Sequence, residues 1–368
     1  MICFAAKRFR LGRFAGGVRP SPLLLTARRA GVILCGVALG FFGIARVHAD
    51  QTAAYEKLSF AGKSKEAADL LETELTSATQ QKGPESVEAL GWLRIKAVVV
   101  SGTKKEEGLA LATTVHEKLV TLVGEENTDT LRAQNALAYC LSLMGRFDEA
   151  EPMMRDALEK QRRVAGAQNE YTLRTLSNLA GLLSDTKRNA EAAPLWREVL
   201  SGREKALDPD HPHTRTTHAE LASCLAALGD YPGAIDAFRP AWERDVRVTG
   251  ESSQAALSAL NYLGMLERLA GRFTDAEKHI RAALEGRRKT LGPDHADVAQ
   301  SLMNLAMLFR QTKRNLEAVA PLVQALEIRR QIGGVGSYLE GTLGDLARFY
   351  QCPSIDLVDW VERSILRS

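Results

Sequence analysis

The chain has 368 residues, 45% of them apolar, 25% charged and only 6% aromatic, with 12 prolines. This excludes collagen-like, mucin-like and wholly disordered chains. The 48 basic and 45 acidic side chains are unevenly placed: residues 1–49 hold eight Lys or Arg and no Asp or Glu, which leaves 40 basic against 45 acidic in the rest, a net of −5. A mildly acidic body argues against a phosphate backbone as ligand, so no nucleic-acid partner is expected.

The first element in chain order is a leader. Arg28 and Arg29 precede an uncharged apolar stretch, residues 30–45, and Val47-His48-Ala49 follows it. A basic region, an apolar core and a small-residue site predict an export signal cleaved after Ala49, hence an exported, periplasmic or secreted protein. Two alternatives stay open. Sixteen helical residues span only about 24 Å, so an uncleaved membrane anchor over residues 30–45 would need local thinning of the bilayer. An acid-free, Arg-rich start before an apolar stretch also fits a two-part mitochondrial presequence directed to the intermembrane space. Three cysteines lie beyond the leader (Cys140, Cys224 and Cys352), without a CxxC pair. That predicts neither a disulfide framework nor a zinc ribbon.

From residue 50 onward the chain repeats itself. The turns Gly145-Arg146-Phe147, Lys187-Arg188-Asn189, Gly229-Asp230-Tyr231, Gly271-Arg272-Phe273 and Lys313-Arg314-Asn315 recur every 42 residues. So do Gly124, Gly166, Asp208, Gly250, Gly292 and Gly334, and so do Ala150, Ala192, Ala234, Ala276 and Ala318. Three registers with one period predict a solenoid. Each period carries two helical apolar stripes. Between Asp297 and Phe309 the stripe is Val298, Leu302, Leu305 and Leu308; after Lys313-Arg314-Asn315 it is Ala318, Leu322, Ala325 and Leu326. The glycines at the period boundary are expected to end the second helix in the left-handed conformation. The alanines mark where two helices cross too closely for a larger side chain, and Gly108 obeys the same limit. A weaker unit begins near Gly62. The expected organisation is a leader (1–49), divergent repeats (50–102), the regular array (103–351) and a C-terminal capping helix (352–368).

The small residues Ala138, Ala180, Ala222, Gly264 and Ala306 in the first helix and Ala157, Ala241, Ala283 and Ala325 in the second, together with the alanines above, resemble the tetratricopeptide pattern. The 42-residue period and segments such as Leu291-Gly292-Pro293-Asp294-His295 resemble the kinesin light chain type of that repeat, over roughly 103–351. The resemblance implies an all-α fold, a right-handed α-solenoid of about seven to eight antiparallel helix pairs. It implies no enzyme, no cofactor and no small-molecule substrate, but a protein or peptide partner. Membrane contact is expected only if residues 30–45 are an anchor.

The densest polar cluster is Asp208-Pro209-Asp210-His211-Pro212-His213 with His218. Because Asp294-His295 recurs two periods after Asp210-His211, the expected role is an aspartate capping the next helix rather than a metal site. Cys140 and Cys224 are two full periods apart and are expected to be separate buried thiols. No catalytic motif stands out.

What remains is a surface. The resemblance places the first helices on a concave groove, and counting back 13, ten and three residues from each turn assigns positions to it. Those positions hold Arg132 and Arg174 at one end, Arg268 and Arg310 at the other, and Asn135 and Asn261 between. Guanidinium groups fork onto carboxylates, and asparagine bonds a backbone amide with both its groups. The groove is therefore expected to hold a peptide segment carrying Asp, Glu or a free C-terminus. The bland alternative makes these arginines solvated charges. A second class is a structural or oligomerisation element, or a membrane-tethered assembly factor, without a dedicated peptide ligand, in which the terminal helix with Trp360 docks another copy.

Overall fold

The computed structural model describes residues 49–208 and 210–332. Among them are fourteen helices in seven consecutive pairs. They are α1 (Ala49–Phe60) with α2 (Ser64–Lys82), α3 (Val87–Ser101) with α4 (Lys105–Val123), and α5 (Thr128–Leu143) with α6 (Phe147–Ala165). Next come α7 (Glu170–Asp185) with α8 (Asn189–Ala206) and α9 (Pro212–Ala227) with α10 (Tyr231–Thr249). The last two are α11 (Gln254–Leu269) with α12 (Phe273–Leu291), and α13 (Ala296–Gln311) with α14 (Asn315–Gln331). The leader and the C-terminal helix with Cys352 and Trp360 lie outside the described residues. Among the described residues no helix is long and apolar enough to cross a membrane.

The repeat is built around close crossings. Ala150, Ala192, Ala234, Ala276 and Ala318 are fully buried, as are Ala138, Ala180 and Ala222. A Cβ on Gly108 would lie 2.6 Å from the backbone of Ala97 and Ser101, so the α3–α4 crossing admits nothing larger than hydrogen there. Cys140 and Cys224 are separate buried thiols, Cys140 against the Ser101 hydroxyl and Cys224 donating to the Asn189 carbonyl.

Two expectations about the helix ends need correcting. Gly124, Gly166, Gly250 and Gly292 have φ between 86° and 89°, but their ψ lies between 152° and 163°. This is not the left-handed helical region; it is an extended conformation with positive φ that is essentially closed to residues with a Cβ. It swings the chain sharply away from the helix axis, and the freed carbonyls of Gly124 and Gly166 accept from the hydroxyls of Thr130 and Thr172 at 2.7 and 2.8 Å. Nor do the aspartates cap. The N-cap is the next residue along, with period 42: Asn127, Asn169, His211, Ser253 and His295. His211 Nδ1 accepts from the His213 N–H and His295 Nδ1 from the Asp297 N–H, both at 3.1 Å. A neutral imidazole thereby does what the asparagine oxygen does in neighbouring repeats. Asp210 instead pairs with Arg247 on α10.

First helices of successive pairs touch one another (α3 on α5, α5 on α7, α11 on α13), whereas second helices have no contact of similar extent. The array therefore curves with its first helices inward, which defines the concave side. On the last five second helices, α6 to α14, 16 residues after the turn, one buried polar residue recurs: Gln161, Arg203, Asp245, Arg287 and Arg329. Two of them clamp adjacent pairs alike. Arg203 donates to the Thr217 hydroxyl at 2.8 Å, and Arg287 to the Ser301 hydroxyl at 2.8 Å and the Asp297 carbonyl at 2.9 Å.

Candidate functional site

The six residues assigned to the groove fall into two groups. Arg132, Asn135 and Arg174 line one narrow cleft together with Arg94, Gln161 and Tyr171. None of the three is a solvated charge or amide: Arg132 is 7% exposed, Asn135 6% and Arg174 3%. Arg132 lies flat on the Tyr171 ring, 3.4 Å from its centroid, and donates to Asp129 at 2.8 Å. Asn135 accepts from the Asn178 amide at 3.2 Å. Burial together with the neighbouring Arg132 and Arg174 pushes the Arg94 guanidinium down to about 9. Arg203, behind the same cleft, is pushed down to about 10 by burial, with Arg174 contributing.

This gathering of cations is answered by the chain's own first helix. Glu56 of α1 is 3% exposed. Its carboxylate lies 3.5 Å from the Arg174 guanidinium and 3.6 Å from His213 Nε2. Arg174 also faces Glu170 at 3.6 Å. One helical turn after Glu56, on the same face, the Phe60 ring meets His213 edge-on at 5.1 Å, and His211 stacks on the other imidazole at 5.0 Å. The Glu56 carboxyl is pushed up to about 8, mainly by burial, against the opposing pull of Arg174. Burial also drives His213 well below its ordinary range, so its ring is neutral.

The second group is more open. Arg268 is half-buried and donates to Gln311 at 2.9 Å; Arg310 is exposed. The two are close enough that Arg310, after burial, helps hold the Arg268 guanidinium below its usual range. Asn261 lies on α11 seven residues before Arg268, about 10 Å along the axis, and is not brought to the arginine pair. Its buried Oδ1 has no hydrogen-bond partner among the described residues.

Counting from the turns found Arg132 and Arg174 but missed Arg94, Tyr171, Arg203, Glu56 and His213. Arg203 was within reach of the same count applied to the second helices, where a polar residue interrupts an apolar face at a fixed offset. Glu56 carried no signal, because its partners are more than 110 positions away. The histidines that suggested a metal are occupied otherwise: His211 caps α9, His213 packs on Phe60, and His218 Nδ1 bonds the Ala237 carbonyl at 2.9 Å.

Seven helix pairs in a curved stack, with polar groups collected on the inner face, define a helical-repeat scaffold. The tetratricopeptide repeat family model matches residues 129–195, 171–241 and 255–331, just over half of the chain, and the protein belongs to that family. No curated protein matches the chain. Among solved structures it is similar to BtubC (BKLC) from P. vanneervenii, at 23% identity over 64% of this chain and 94% of that one, with a TM-score of 0.52. It is also similar to a kinesin light chain-like protein of Podosopora anserina with nearly identical TPR-like repeats, at 21% identity over 55% of this chain and 96% of that one, with a TM-score of 0.51. At this identity the likeness concerns the fold. That fold is a scaffold typical of protein–protein interaction, and the family is generally non-catalytic.

Proposed function

We propose that the protein is a non-catalytic interaction scaffold whose concave face holds a peptide segment bearing a carboxylate, from Asp, Glu or a free C-terminus. The observation that carries this reading is the concentration of guanidinium groups on that face of an otherwise acidic body. Arg94, Arg132 and Arg174 gather in one half, Arg268 and Arg310 in the other. Desolvated guanidinium groups favour a carboxylate strongly, because the planar fork makes two parallel charge-assisted bonds to it. The basic region, apolar core and Val47-His48-Ala49 site of the leader support an exported location for the scaffold; an intact mass beginning at Asp50 is expected, and a full-length membrane-bound species would reverse that.

The test uses the open half, where substitutions leave the core alone. A fluorescein-labelled twelve-residue Asp/Glu-rich peptide with a free C-terminus is titrated into the full chain and into Arg268→Glu/Arg310→Glu. Binding weakened by tenfold or more is expected, roughly the worth of one charge-assisted contact. Unchanged affinity, or equal binding of a lysine-substituted control peptide, would overturn the reading.

A further inference from the structure

The helix α1 is placed unlike any other first helix. It belongs to the first pair, yet Glu56 reaches Arg174 on α7 in the fourth pair, and both Glu56 and Phe60 reach His213 at the start of α9 in the fifth. It packs less extensively on its own partner α2 than the first helix of any other pair does. Tyr55 is buried in the common core and Leu58 packs against it. Otherwise α1 lies across the concave side as a ligand would, one face turned to the groove and Ala54 and Lys57 exposed.

We propose that the concave surface of the fourth and fifth pairs is a binding site for a helical segment that presents a glutamate and, one turn later, a phenylalanine, and that α1 is its resident occupant, which an external segment of that kind displaces. The inference rests on the peptide-scaffold reading above and specifies its ligand. The glutamate goes between Arg174 and His213, where the cations Arg174 and Arg203 otherwise face each other. The aromatic ring goes edge-on to the His213–His211 stack. Tethering gives α1 a high effective concentration, so an external segment meets a site that is mostly filled and binds with an apparent affinity reduced by the open fraction.

The test is carried out in the full chain. A fluorescein-labelled peptide of residues 49–63 is titrated into wild type and into Glu56→Lys, which sets a third cation against Arg174 and Arg203. Hydrogen exchange follows α1 in parallel. Loss of protection confined to α1 is expected in Glu56→Lys, with the peptide binding it at least about tenfold more tightly than wild type. The same peptide carrying Glu→Lys is expected not to bind. The charge swap Glu56→Lys/Arg174→Glu is expected to restore α1 protection and close the site again. The proposal is overturned if α1 stays protected in Glu56→Lys, if α1 is released and the peptide still binds no better, or if the swap fails to refold an array that Glu56→Lys has unfolded. Such a failure alongside a positive result at Arg268 and Arg310 would remove α1 as ligand and leave the scaffold reading intact.

Discussion

The two halves of the array carry the same clamp in different electrostatic settings. Arg203 and Arg287 stand 84 residues apart, two full periods, and hold the same place on α8 and α12. Around Arg287 the chain supplies neutral acceptors: Ser258 and Ser301 hydroxyls at 3.0 and 2.8 Å and the Asp297 carbonyl. Around Arg203 the residue equivalent to Ser258 is Arg174, and the one equivalent to Asp297 is His213. One half is therefore satisfied by its own repeats, and the other holds a second buried cation, Arg174, which faces Glu170 of its own helix and a further carboxyl from outside the repeat. Glu56 of α1 brings that carboxyl, 3.5 Å from the Arg174 guanidinium. A repeat can keep its fold and change its ligand chemistry through one residue on the concave side, since Ser-to-Arg at a single register position converts a closed hydroxyl cluster into a carboxylate receptor.

The largest effect expected from this difference is a pH dependence confined to the first half. Glu56 is faced by Arg174 and Glu170 on α7, Arg203 on α8 and His213 on α9, and His213 stays neutral throughout the window. In the folded chain the Glu56 carboxyl keeps its proton up to about 8, against 4.5 ordinarily. The docked state thus binds one proton more between those values, and docking of α1 weakens as pH rises through that window, by as much as about 5 kcal/mol. Hydrogen exchange of residues 54–60 between pH 5.5 and 8.5, corrected for the intrinsic rate, reports it directly. Glu56→Gln, which mimics the protonated acid, is expected to stay docked and lose the dependence, while α11 to α14 respond in neither variant. An equal response in the two halves would break the comparison.

A smaller and opposite effect is expected from removing the clamps themselves. Arg287→Met leaves two hydroxyls and a carbonyl without their donor and is expected to destabilise by about 2–3 kcal/mol. Arg203→Met removes the same kind of bond, but Thr217 keeps a partner in the His213 carbonyl, 2.8 Å away, and Arg174 loses a like-charged neighbour. Its expected cost is about 1 kcal/mol or less. Urea denaturation of both variants ranks them, and a larger loss at Arg203 would contradict the assignment of repulsion to that half.

How much of this could be read in advance follows from the range of each interaction. The period, the helix pairs, the alanine crossings and the tight Gly108 contact were legible because each depends on residues within one repeat or its neighbour. The cap was misassigned by one residue, Asp for His, because the Asp-His pair offers two plausible acceptors and only the backbone decides which stands at the helix start. Arg132 and Arg174 were legible as inner-face residues. Their burial was not: Tyr171 covers Arg132, and Arg174 meets Glu56 of α1, whose approach to the fourth and fifth pairs depends on the curvature of the whole stack. Arg268 and Arg310, half-buried and exposed, stand in the structure close to where the sequence places them.

The smallest effect should be blind to the difference between the halves, which makes it a control on it. Lys187 and Lys313 occupy the turn between helices where Gly145, Gly229 and Gly271 stand in other repeats, and they hold φ at 67° and 62°. That left-handed conformation brings a Cβ against the backbone, at roughly 1 kcal/mol per residue. Glycine relieves the strain but widens the unfolded ensemble, so Lys187→Gly and Lys313→Gly are each expected to stabilise by only about 0.5 kcal/mol. Both turns are followed by an arginine paired with the glutamate three residues on, Arg188 with Glu191 and Arg314 with Glu317, each at 2.7 Å. The surroundings are matched, and the two gains should agree within the error of thermal unfolding. A gain at Lys313 without one at Lys187 would mean that the α7–α8 turn is strained by its neighbours as well as by its own backbone, and that the electrostatic contrast between the halves extends into the packing.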